Sequence, residues 1–130
     1  MIESISKKLA PTGELRVGLN MSNFLLVSSK NANGSPEGVS PDIGKKLGEE
    51  LNVICKLVQF EKPGLLADAV NEDKWDIGNI ACEKERAKSI DFSDPYVNID
   101  ANFIFRKKDK FMSNEDINSS AIKIAVLERS

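Results

Sequence analysis

Three short apolar runs separated by two helical ones restrict this chain more than any other feature. Leu15-Arg16-Val17-Gly18-Leu19-Asn20 alternates as a strand, with Pro11-Thr12-Gly13 punctuating its start. A helix follows, with Ser40 as the expected N-cap, Pro41 in the first turn, and Ile43, Leu47 and Leu51 recurring at helical spacing. Val53-Ile54-Cys55-Lys56-Leu57-Val58 is the second strand. A helix after Pro63 carries Leu65, Leu66, Ala69 and Val70 on its apolar side, and Asp76-Ile77-Gly78-Asn79-Ile80 is the third strand. Helices of about ten residues between strands imply parallel pairing with right-handed crossovers. The expected class is α/β with a mostly parallel sheet.

Two stretches depart from that rhythm. Residues 21 to 39 read as one long loop rich in Asn, Gly, Ser and Pro, and loops of that length in a domain are usually functional or mobile. After Tyr96, residues 97 to 106 form a long extended run ending in Arg106-Lys107-Lys108; a polar connector and a last strand, Ile122 to Leu127, complete the chain. A strand with no helix to cover it is a folding liability. The expectation is a piece of a longer protein, with residues 1–110 forming one lobe and 111–130 a connector plus the first strand of another. Strand 122–127 is expected to pair with a second copy, giving a homodimer by strand exchange or edge addition.

Composition removes whole classes of chemistry. The chain has no histidine, which excludes histidine general-base catalysis, Ser/His/Asp and Cys/His arrangements, and histidine-ligated metal. A net charge of −2 gives no electrostatic reason to expect nucleic acid or an anionic membrane as partner. Cys55 and Cys82 show no CxxC spacing and read as two small buried hydrophobes in strands rather than a disulfide. No metal, cofactor or catalytic residue is expected. The N-terminal residues lack the long apolar core of a secretion signal, and no run has the length of a membrane span, so the chain as written reads as soluble and unexported.

The stretch from Trp75 to Tyr96 carries the functional signal. A strand end followed directly by a helical turn is where an α/β sheet presents free backbone N–H groups. Arg86 in that turn adds a fork of donors suited to a carboxylate. Two readings of Arg86 stand side by side: a clamp assisted by N–H groups near Ala81 and Cys82, or a solvated arginine pairing within the run Glu83-Lys84-Glu85-Arg86. Asn20, Met21, Ser22 and Asn23 follow the first strand, either as ligand groups at the sheet's carboxyl end or as plain turn formers. Asp42 reads as dipole complementarity, Trp75 and Asp76 as packing at the start of the third strand, and Tyr96 as a residue able to line a cleft.

These residues resemble the family 3 extracellular solute-binding proteins, the type II periplasmic-binding fold of ABC importers. The likeness runs through Gly13-Glu14-Leu15-Arg16-Val17-Gly18, Gly38-Val39-Ser40-Pro41-Asp42-Ile43, Trp75-Asp76, and Glu85-Arg86 followed by Ile90-Asp91-Phe92-Ser93-Asp94-Pro95-Tyr96. It implies a Rossmann-like three-layer first lobe, truncated before the second, that holds a small amino-acid-like or carboxylate-bearing solute without being an enzyme. Arg86 would grip the α-carboxylate, with Asn79, Ala81, Asn20, Asn23 and Tyr96 as the other ligand-binding candidates. Hydroxyl residues common just before that arginine are replaced by Gly78, Asn79 and Ala81, and a threonine by Glu83, which would repel an anion. The resemblance further implies a periplasmic or extracytoplasmic location and a membrane permease as partner. It leaves two alternatives, a periplasmic cyclohexadienyl or arogenate-type dehydratase and a ligand-sensing domain of a signalling protein. A single lobe leaves a ligand largely hydrated, so weak binding or none is expected of this chain alone.

Overall fold

Leu15, Val17 and Leu19 are fully buried, and their alternation fixes strand β1 (Glu14–Asn20) as the centre of the fold. The computed structural model describes residues 2–106, 108, 113–118 and 122–126. They divide into two compact units, one reaching Phe92 and the other running from Ser93 to Glu128.

In the first unit, helix α1 (Ile2–Leu9) precedes β1, and a small antiparallel hairpin, β2 (Ser29–Lys30) with β3 (Pro36–Glu37), follows it. Helix α2 (Val39–Leu51), strand β4 (Ile54–Phe60), helix α3 (Pro63–Asp68) with a 3₁₀ turn at Ala69–Asn71, and strand β5 (Ile77–Asn79) come next. The sheet order is β4-β1-β5, all parallel, with Val17 opposite both Leu57 and Ile77. The α/β reading with a parallel sheet therefore holds.

Successive residues of β1 show the three layers. A Cβ on Gly44 of α2 would lie 2.9 Å from Val17 Cγ1, whereas a Cβ on Gly18 would meet Leu66 of α3 at 2.5 Å and Trp75 at 3.2 Å. Neighbouring strand residues point to opposite faces, so α2 covers one face and α3 the other. The core on the α2 side gathers Ala10, Leu15, Val17, Leu19 and Leu51, with Leu47, Cys55, Leu57 and Ile77 packed against it. On the α3 side the Trp75 indole N–H donates to the Leu66 carbonyl at 3.0 Å.

Several expectations change. The loop 21–39 contains the β2–β3 hairpin, closed by Asn31, whose side-chain oxygen accepts from the backbone N–H groups of Asn33 and Ser35, both at 3.0 Å. Gly38, not Ser40, caps α2, at φ 133. A side chain there would strike the Leu26 carbonyl oxygen at 2.6 Å, so the tight approach demands glycine. Ser40 is buried inside the helix instead, and the buried stripe is Ser40, Pro41, Gly44, Gly48 and Leu51 while Ile43 is exposed. Small residues win that face because α2 presses closely on Val17 and Cys55. Likewise Leu66 and Ala69 are buried beside an exposed Leu65. Cys82 lies past the end of β5 and is exposed; Cys55 is half-buried, and both are free thiols.

In the second unit, helix α4 (Asn114–Asn118) is preceded by Ser113, whose hydroxyl accepts from Asp116 N–H while Asp116 Oδ2 accepts from Ser113 N–H, a reciprocal cap. Residues 97–106 were expected to be one extended run and 122–127 a strand. Among the described residues neither run is a β-strand, and Ile104 and Val126 are exposed. Lys107 and Leu127 lie outside the described residues.

Candidate functional site

The site grows from the strand order. The chain leaves central β1 for β4 on one side and returns to β5 on the other, so the loops after β1 and β5 meet where the order reverses. Leu19 is opposite Asn79, which puts Asn20 and Ile80 at the same carboxyl edge. Met21 N–H donates to the Phe60 carbonyl at 2.8 Å and ties the β1 loop to β4 as well.

The loop after β1 is held by its own side chains. Asn20 Oδ1 accepts from Ser22 N–H at 3.1 Å and from the Ser22 hydroxyl at 2.7 Å. Asn23 Oδ1 accepts from Leu25 N–H at 3.3 Å, and its carbonyl accepts from Leu26 and Val27 N–H. Both asparagines therefore serve as turn formers through their oxygens, leaving their NH₂ groups as what each can offer a guest. This turn also presents Phe24 and Leu25, exposed at 77% and 57%. Sequence reading passed over that apolar pair, although two large hydrophobes among turn residues are its visible mark.

The loop after β5 wraps around Arg86. Ala87 N–H donates to the Glu83 carbonyl at 2.9 Å, closing one helical turn, and a 3₁₀ turn at Arg86–Lys88 follows. Arg86 Nη1 donates to the Ala81 carbonyl at 3.2 Å and pairs with Glu83 Oε1 at 3.1 Å. The Arg86 side chain is only 9% exposed, so it lies tucked into its loop and does not extend into solvent. Its bonded contacts nevertheless all fall on Nη1, leaving Nε and Nη2 without a partner among the described residues. No fully buried side-chain nitrogen or oxygen lacks a partner there, so those free donors reach solvent. The backbone N–H groups of Ala81, Cys82, Glu83, Lys84 and Glu85 are also without a partner among the described residues.

Arg86 thus pairs locally through one nitrogen, while Nε and Nη2 have no partner among the described residues. Glu83, expected either to pair locally with Arg86 or to repel an anion, is drawn against the guanidinium. Asn20, Asn23, Asn79, Ala81 and Arg86 belong to one edge of the first unit, while Tyr96 belongs to the second. Two grooves lie elsewhere. One of about 330 Å³ runs between α1 and the end of α2, and one of about 360 Å³ lies between the hairpin, Lys45 and β4. Among the described residues no cluster of acidic and cysteine side chains is placed to hold a metal.

Residues 15–126 match the family described as bacterial extracellular solute-binding proteins, family 3. The chain belongs to that family. Its fold is part of a lobe of the type II periplasmic-binding architecture. It is 33% identical over 95 residues to the L-arginine-binding protein of Pseudomonas aeruginosa, matching 72% of this chain and 36% of that protein. An arginine-bound domain 1 from the T. maritima arginine-binding protein, a Phe57Trp mutant in that protein's own numbering, superposes with a TM-score of 0.59 at 29% identity. That match covers 71% of both chains. An ancestral cyclohexadienyl dehydratase matches with a TM-score of 0.59 at 30% identity, over 71% of this chain and 38% of that one. The chain thus spans about a third of the length of the curated relative it matches.

Proposed function

We propose that this chain is the ligand-holding part of the first lobe of an amino-acid-binding protein, in which Arg86 and the N–H groups of Ala81 to Glu85 receive the α-carboxylate. The observation that carries this reading is the half-used guanidinium: a side chain 9% exposed, immobilised through Nη1, with its remaining donors open to solvent. Immobilising a long side chain before binding removes an entropic cost that a flexible arginine would meet on capture. A carboxylate can then engage two parallel donors at once. The NH₂ groups of Asn20 and Asn23 and the strand end at Asn79 flank the same edge. Phe24 and Leu25 supply apolar surface for a ligand side chain.

Cationic amino acids are the favoured guests, because the curated relative and the T. maritima domain are named for arginine. Domain 1 of that relative is named in its arginine-bound form, which makes binding by a single lobe a fair test for this chain too. In the complete protein the family role is delivery to an ABC permease outside the cytoplasm. Titration of this chain with L-arginine, followed by NMR or calorimetry, tests the reading. Saturable binding that Arg86→Ala weakens by at least about tenfold supports it; unchanged affinity in that variant overturns it. The neighbouring ancestral dehydratase supports a second reading, an enzyme acting on a cyclic carboxylic acid, which turnover of prephenate or arogenate by the complete protein would establish.

A further inference from the structure

We infer that Glu83 makes this site selective for zwitterions: its carboxylate takes the α-ammonium of the guest whose carboxylate Arg86 holds. The inference rests on the carboxylate-clamp reading of Arg86 and adds a second residue to it. Glu83 Oε1 lies 3.1 Å from Arg86 Nη1, so an anion and a cation stand side by side in the same loop. The Glu83 side chain is 46% exposed, leaving oxygen surface for a second donor. A carboxylate arriving at the free Nε and Nη2 edge meets not an isolated positive charge but a neutral pair. For a plain carboxylate, the attraction of the guanidinium is offset by repulsion from Glu83.

An α-amino acid escapes that penalty. Its ammonium and carboxylate are separated by one carbon, matching a guanidinium and carboxylate in direct contact, so each charge of the guest faces its opposite. The other ion pairs nearby lack this character. Lys88–Glu85 is exposed at 68% and 80%, the signature of a solvated pair contributing little, whereas the arginine of the Glu83 pair is nine-tenths buried.

The test compares L-arginine with 5-guanidinopentanoate, the same molecule without its α-amino group, on the wild-type chain and on Glu83→Gln, Glu83→Asp and Arg86→Ala. Wild type should prefer arginine by about tenfold, the scale of one lost charged contact. Glu83→Gln should cut that preference at least threefold, through weaker arginine binding or tighter binding of the analogue, and Glu83→Asp should keep part of it. A preference unchanged in Glu83→Gln, or equal wild-type affinity for both compounds, overturns the inference while the clamp stands. Unchanged binding of both compounds by Arg86→Ala overturns the clamp, and the inference with it. A wild-type chain unperturbed by either compound also overturns both.

Discussion

Arg16 and Arg86 sit at opposite ends of one small sheet and show two uses of the same side chain. At the amino edge, Arg16 Nε donates to Asp76 Oδ2 at 3.0 Å, Nη2 reaches Asp73 Oδ1 and Asp76 Oδ1 at 2.7 Å each, and Nη1 donates to the Asp73 carbonyl. Asp76 Oδ2 also accepts from Arg16 N–H at 2.7 Å, and Asp76 N–H returns a bond to the Arg16 carbonyl. Every nitrogen of that guanidinium is engaged, and its partners hold the Arg16 pKa above the usual arginine value, chiefly through the hydrogen bond to Asp76. At the carboxyl edge Arg86 uses one nitrogen. The lesson is that an arginine's burial does not reveal its role, since both side chains are largely covered, at 14% and 9% exposed. The count of unspent donors does. A saturated fork joins β1 to β5, while the unsaturated fork of Arg86 keeps the donors that the proposed carboxylate would take.

The largest effect that would break this comparison belongs to Asp76→Ala. Its side chain is 5% exposed and accepts three bonds from Arg16, so its removal strands the Arg16 backbone N–H and Nε and leaves Nη2 with Asp73 alone. The unfolding midpoint should fall by roughly 10 °C, read by circular dichroism. Arg86→Ala should shift it by only a degree or two on the same roughly drawn scale, because that pair ties a loop to itself. Equal shifts would erase the distinction between a structural and a receptive arginine.

Lysine replacements sharpen the contrast with a smaller effect. One ammonium cannot span the donors that Arg16 sends to two aspartates, so Arg16→Lys should keep most of the Asp76→Ala loss. Arg86→Lys should retain the fold and weaken L-arginine binding severalfold, less than alanine does, since a point charge survives without the fork. If lysine served equally at Arg86, the bidentate geometry would be irrelevant there.

The sequence made this amino-edge junction hard to see, because Arg16 and Asp76 are 60 positions apart and each looked like an ordinary strand-end charge. What was legible were features whose cause is local. The alternation of Leu15, Val17 and Leu19 announced the central strand, and the spacing of helices between strands announced parallel pairing. Features set by tertiary fit were lost. Ile43 has the right period for a core face, yet the close approach of α2 to Val17 excludes it and selects Gly44. The two-residue strands of the hairpin are too short to alternate. Helix α1 gave no strong signal; it docks through Leu9, packed against the core, and through Ser6, whose hydroxyl donates to the Leu51 carbonyl at 2.9 Å. At the site, Arg86 was visible as a residue, and its spacing from Glu83 allowed a local pair. Free N–H groups near Ala81 and Cys82 were expected from the strand-to-turn junction, but which amides of the loop stay unspent depends on its whole path.

The two cysteines probe the two regions with the smallest perturbation. Cys55 is covered beside Gly48 of α2, and burial pushes its thiol above the ordinary value of 9.0, with Lys45 pulling it partly back. A raised thiol value means less thiolate at a given pH, and thiolate is the nucleophile. Cys82 is exposed on the loop that carries the free amides. Iodoacetamide at mildly alkaline pH should therefore modify Cys82 first, with Cys55 following several-fold more slowly and still accelerating as pH rises past the ordinary thiol range. Mass spectrometry with tryptic mapping separates the two. Saturating L-arginine should slow Cys82 and leave Cys55 unchanged, because only Cys82 neighbours the groups proposed to hold the carboxylate. Protection of both would point to a global tightening of the lobe, and protection of neither would place the guest away from the β5 loop, removing the reason to treat Arg86 differently from Arg16.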